Sequence, residues 1–156
     1  YFLYNQIYNL NNTLIKDFNI KKPKILISGF NPHAGENGVL GNEEINYITP
    51  TIKKLNKEGV NILGPLSADS ILIKKNLKNY DCFVFMYHDQ ALIPFKYISQ
   101  FSGVNYTGNL DIIRTSPDHG TAYNLIGTKD ISNKSFLNCY KLILKIYNNR
   151  KKNDKS

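Results

Sequence analysis

The chain has 156 residues, 42% hydrophobic and 21% charged, enough apolar content for a core and too little charge for a disordered chain. A surplus of 20 basic over 12 acidic residues gives a formal charge of +8, yet the lysines are scattered among Asn, Ile and Tyr, so no nucleic-acid-binding face is expected. No apolar stretch approaches the ~20 residues of a membrane span.

Residues 1–17 carry a helical spacing of Phe2, Leu3, Ile7, Leu10, Leu14 and Ile15. After Pro23, Lys24 to Gly29 reads as a strand without alternation, hence buried on both faces. A loop, Phe30 to Gly41, leads to a helix from Glu43 to Lys57, capped by Asn42 and stopped by Gly59. Val60 to Leu63 is a short strand broken by Gly64-Pro65, and Ser67 or Asp69 starts a helix toward Leu77. Asp81 to Tyr87 is the clearest buried strand, and Ala91 to Ile98 a short helix with Pro94 near its first turn. Gly103 to Tyr106 and Asp111 to Arg114 read as strands, Ser116 to Thr121 as a loop opening a helix, and Lys134 to Asn148 as the last helix. Residues 1–150 form one unit, and 151–156 a basic disordered tail. Strands alternating with helices predict an α/β fold with a mostly parallel central sheet.

Cys82 and Cys139 lie in apolar patterns and read as buried thiols rather than a disulfide. With no secretory signal visible, this fits the cytoplasm. The start at Tyr1 rather than Met fits a fragment.

The three histidines, His33, His88 and His119, each sit beside a strand end among small or polar residues, where ligands bind in open α/β sheets. Two neutral imidazoles converging with a carboxylate or a third histidine would make a divalent metal site. Glu36 and Asp89 are candidates to ligate or to orient the rings. Lys96 and Arg114 suit a small anionic substrate, and Asn105 is polar in a sheet-like run. The loop Thr115 to Ala122 runs into a helix start suited to phosphate. Neither G-x-G-x-x-G nor a P-loop occurs, so a Rossmann site is unsupported.

The strings Asn31-Pro32-His33-Ala34-Gly35-Glu36, Gly64-Pro65-Leu66, Tyr87-His88-Asp89-Gln90, Lys96-Tyr97, Gly103-Val104-Asn105, Ile113-Arg114-Thr115-Ser116 and Asp118-His119-Gly120-Thr121-Ala122 resemble, in order and spacing, the C-terminal half of the 4-hydroxythreonine-4-phosphate dehydrogenase family of vitamin B6 biosynthesis. The resemblance implies an isocitrate/isopropylmalate dehydrogenase-like fold, present in part. It implies oxidation of 4-phosphooxy-L-threonine with NAD or NADP and a divalent metal (Zn, Mg or Co), then decarboxylation, in a homodimer with its active site at the interface. The family's metal ligands fall on His33 and His88, and its substrate contacts on Lys96, Asn105 and Arg114. Asp118, His119, Gly120 and Thr121 would face the nucleotide, and Asp89 is a candidate proton relay. The family's third metal histidine belongs to an N-terminal half that this chain lacks, so little turnover is expected from it alone. Gly108-Asn109-Leu110-Asp111 stands where the family has Leu-Gly-Leu-Pro, and Ala91 where Gly is common. The alternatives are a split or inactive remnant keeping fold and dimer surface, and a basic RNA-binding module.

Overall fold

The computed structural model describes residues 1–118, 127 and 132–153. Its centre is a three-stranded parallel sheet made of β1 (Ile25–Ser28), β2 (Ile62–Leu66) and β3 (Cys82–Val84), in the order β2-β1-β3. All four residues of β1 are buried, as expected of an unalternating Ile/Leu run between two parallel neighbours. Helices α1 (Phe2–Lys16) and α2 (Thr49–Lys57) supply Ile7, Leu14, Ile52 and Leu55 to the core around Ile25, Ile27 and Ile62. Short helix α3 (Lys74–Asn79) precedes β3, and α4 (His88–Ser99) follows it. An antiparallel hairpin of β4 (Val104–Thr107) and β5 (Arg114–Pro117) packs beside α5 (Lys134–Asn153).

Several elements differ from the sequence reading for identifiable reasons. β2 runs through Gly64-Pro65 instead of stopping there. It is a sheet edge, where a proline's missing N–H costs no ladder bond. Gly64 has φ +133° and lies against β1, where a Cβ would meet the Ile27 carbonyl oxygen at 2.4 Å. The helix expected from Glu43 begins as a wider turn, Glu44–Ile48, in which the Thr49 amide donates to the Glu44 carbonyl. Pro50 has no N–H for an ordinary helical bond back to Asn46, so the ladder shifts there. Asn42 gives no side-chain cap. α4 starts at His88, three residues early, which leaves Pro94 inside the helix. Arg114 opens β5 rather than ending a strand. It pairs with Thr107 across the turn, and the polar Thr115-Ser116 that followed had masked the strand.

The last helix continues to Asn153, through three residues expected in a disordered tail; 154–156 lie outside the described residues. An interaction 133 residues apart in sequence accounts for this order. Asp17 is 2% exposed and receives Arg150 Nε at 2.6 Å and Nη2 at 3.1 Å, with the Tyr106 hydroxyl also donating to it. Asn149 Nδ2 donates to the Asp17 carbonyl. The clasp joins the ends of α1 and α5 to β4. Burial alone would push the Asp17 carboxyl up, but the hydrogen bonds from Arg150 and Tyr106 and the Arg150 charge hold it below the usual carboxylate range.

Candidate functional site

Parallel neighbours end on the same side of a sheet, so β1 and β3 deliver their following residues to one edge. His33 lies five residues beyond β1, and His88 opens α4 just beyond β3. The two His-bearing segments are built very differently.

His33 sits in a turn of the wrong hand. Five consecutive residues, His33 to Asn37, have φ between +44° and +79°. Four of them are not glycine, and left-handed backbone costs an L-residue about 1–2 kcal/mol. Something must hold it. The Glu44 carboxylate, 4% exposed, accepts the backbone amides of Phe30 at 2.7 Å and Asn31 at 2.8 Å on Oε1, and Asn31 Nδ2 at 2.9 Å on Oε2. Burial opposes its charge, yet those hydrogen bonds, led by the Asn31 side chain, draw its pKa down. Gly29 and Gly35 leave no room for a side chain beside it: a Cβ on Gly35 would meet Glu44 Oε2 at 2.6 Å. The His33 ring is exposed, on the side where Ser67 and Asp69 follow β2. The Ser67 hydroxyl is the main cause that draws the Asp69 pKa down, with Ser70 and the charge of His33 adding to it.

His88 is also exposed, and its Nδ1 lies 2.8 Å from Asp89 Oδ1. In a neutral ring, Nδ1–H donating to this carboxylate would leave the Nε2 lone pair available to a ligand. Gln90, two residues on, links both loops. Its Oε1 accepts from Ser28 Oγ and the Met86 amide, and its Nε2 donates to the Gly29 carbonyl, all at 3.0 Å.

The expected substrate residues lie on and around the hairpin. Asn105 and Thr107 alternate on β4 and oppose Ser116 and Arg114 on β5, so these four share one face. Tyr106 and Thr115 turn to the other. Arg114 Nη1 donates to Thr107 Oγ1 at 2.8 Å. Asn105, His88, Phe95 and Asp118 line a groove of about 1020 Å³ between α4, β3 and β4. Lys96 is not free: its Nζ lies 2.8 Å from Asp118 Oδ2 and donates to the Asp118 carbonyl at 2.7 Å. Asp118 is therefore a partner of Lys96. His119, Gly120 and Thr121 lie outside the described residues. Among the described residues, no three His, Cys, Asp or Glu side chains gather as a metal site. Glu44 was not singled out from the sequence, and Asp69 and Gln90 were read only as a helix-start candidate and as one residue of a motif, because a lone Glu, Gln or Asp in a polar stretch gives no periodic signal.

The parallel sheet with its flanking helices is part of an isocitrate/isopropylmalate dehydrogenase-like fold. The family model described as pyridoxal phosphate biosynthetic protein PdxA matches residues 2–143, and the chain belongs to that family. It is 51% identical over 111 residues to 4-hydroxythreonine-4-phosphate dehydrogenase of Bradyrhizobium diazoefficiens, covering 71% of this chain and 32% of that protein. It is 44% identical over 142 residues to the enzyme of the same name from Prosthecochloris aestuarii, covering 91% and 42%. The crystal structure of 4-hydroxythreonine-4-phosphate dehydrogenase from Klebsiella pneumoniae superposes with TM-score 0.74 at 35% identity, over 92% of this chain and 43% of that one. A terephthalate 1,2-cis-dihydrodiol dehydrogenase from Burkholderia xenovorans LB400 is similar too, with TM-score 0.70 at 28% identity over 92% and 45%. The chain thus spans less than half the length of the relatives it matches.

Proposed function

We propose that this chain supplies the C-terminal share of an enzyme that oxidises the C3 hydroxyl of 4-phosphooxy-L-threonine with NAD or NADP. The nicotinamide, when bound, would take a hydride from C3 while the hydroxyl gives up its proton. The resulting 2-amino-3-oxo-4-phosphooxybutanoate then loses carbon dioxide. The family match across residues 2–143 carries the reading. The 44–51% identity to relatives named for this substrate favours it over a dihydrodiol.

Two exposed imidazoles at one sheet edge, one of them beside a carboxylate, are a donor pair that fits Zn or Co, whereas Mg prefers oxygen donors. A divalent ion bound there would polarise the substrate hydroxyl and lower its pKa. His33 and His88 would hold it, and Asp89 would fix the His88 tautomer or relay a proton. Arg114 and Asn105 would bind the phosphate and carboxylate, joined by Lys96 once it turns from Asp118. Asp118, with His119, Gly120 and Thr121, would face the nucleotide. A homodimer in the cytoplasm completes the reading, with the remaining ligand on the portion of the relatives that this chain does not span.

A chimera tests it. Residues 23–127 replace the matching stretch of the Vibrio vulnificus relative, which is 49% identical to this chain, and NAD+ reduction is followed with 4-phosphooxythreonine. Turnover is expected, and its loss with His33→Ala or His88→Ala. A folded chimera that leaves NAD+ unreduced refutes the proposal.

A further inference from the structure

One peptide group lies where the two histidine segments meet. The Gly29 carbonyl and the Phe30 amide belong to the same peptide unit. The oxygen accepts from Gln90 Nε2 at 3.0 Å, and the amide donates to Glu44 Oε1 at 2.7 Å. Gln90 is two residues from His88, and the gripped peptide is three residues from His33. The Gln90 side chain bonds to Ser28 Oγ, the Met86 amide and the Gly29 carbonyl, and the Glu44 carboxylate accepts two backbone amides and Asn31 Nδ2. Most of the acceptor capacity of Glu44 is thus directed at the segment that leads into His33.

We infer that Glu44 and Gln90 are paired positioning residues, gripping the Gly29–Phe30 peptide from both ends and fixing the His33 turn relative to His88. The inference rests on the metal-site reading only for its consequence. The grip itself is a property of the metal-free chain. The left-handed turn gives it a purpose. A backbone run that costs several kcal/mol when left to itself keeps one geometry only while its entry is held, and a loop displacement of about 1 Å is large for a coordination bond.

The test has two readouts. The first is amide hydrogen exchange in the metal-free chain. Gln90→Met removes every Gln90 bond without touching Glu44. It is expected to speed exchange at least tenfold at Phe30 and Asn31 as well as at Met86. Glu44→Gln keeps an acceptor for both amides and is expected to retain most of the protection that Glu44→Ala loses. If Gln90→Met speeds Met86 alone and leaves Phe30 and Asn31 within twofold, the coupling is overturned. The second readout is Co2+ affinity and the cobalt visible spectrum. Gln90→Met and Glu44→Ala are expected to weaken binding at least tenfold and to shift the band. Retained affinity and an unchanged band in both variants overturn the positioning role. Cobalt binding insensitive to His33→Ala and His88→Ala would instead refute the metal-site reading, and exchange still decides the grip.

Discussion

Arg150→Met is expected to reverse the pH response of the fold. In the native chain Asp17 is 2% exposed and has Arg150 on both carboxylate oxygens. Removing the guanidinium while keeping an apolar stem leaves a buried carboxylate with the Tyr106 hydroxyl as its remaining side-chain donor. Breaking such a pair costs about 3–5 kcal/mol, and the partial exposure of Arg150 places this case near ~3. At 2–4 °C per kcal/mol for a chain of this size, the melting temperature should fall by roughly 6–12 °C at pH 7. The sign with pH follows from linkage. The native Asp17 pKa lies below its unfolded value, so the clasp stabilises above about pH 4 and fades as pH drops through the folded value. Without Arg150, burial dominates and the folded pKa rises above the unfolded one. The variant then recovers stability as acid protonates Asp17, so its deficit should shrink between pH 7 and about pH 4. Thermal unfolding followed by circular dichroism at both pH values measures this. A deficit under ~2 °C at pH 7, or one equally large at pH 4, would refute the account of Asp17.

Tyr106, pushed up to about 12 by burial and by its hydrogen bond to Asp17, should ionise last among the described tyrosines in an ultraviolet titration, and Tyr106→Phe should remove that late step at a cost of about 1 kcal/mol. Gly64→Ala should destabilise by roughly 2–3 kcal/mol in urea unfolding, because its Cβ would meet the Ile27 carbonyl at 2.4 Å. Asp89→Asn should weaken Co2+ binding roughly tenfold or more by isothermal titration, the range for losing a carboxylate that orients a ligating histidine. Cys82, raised to about 11 chiefly by burial, should react with iodoacetamide far more slowly than a free thiol until the chain unfolds.

Local pattern made much of this legible. The unbroken run Ile25 to Ile27 announced a strand buried on both faces, and it is. Strand–helix alternation announced the parallel sheet, and motif order announced the family. What escaped was non-local or chiral. Arg150 read as part of a solvated basic end, since nothing near it in sequence shows the Asp17 it holds. Gln90 read as one letter of a motif, because its bonds to Ser28 and Gly29 span 62 and 61 residues. The turn at His33 read only as a glycine-rich loop, since His, Ala, Glu and Asn do not advertise left-handed backbone.

That turn has a stereochemical consequence. What is unfavourable for an L-residue is the preferred region of its mirror image, so D-alanine introduced at position 34 by semisynthesis would adopt φ near +53° as readily as L-alanine adopts a right-handed helix. Handedness, rather than size or polarity, sets residues 33–37 apart: their positive φ values are consecutive, where those of Asn19, Gln100 and Asn109 are isolated. A chirality swap at one of them is the smallest chemical change that addresses this strain with composition, charge and volume unaltered.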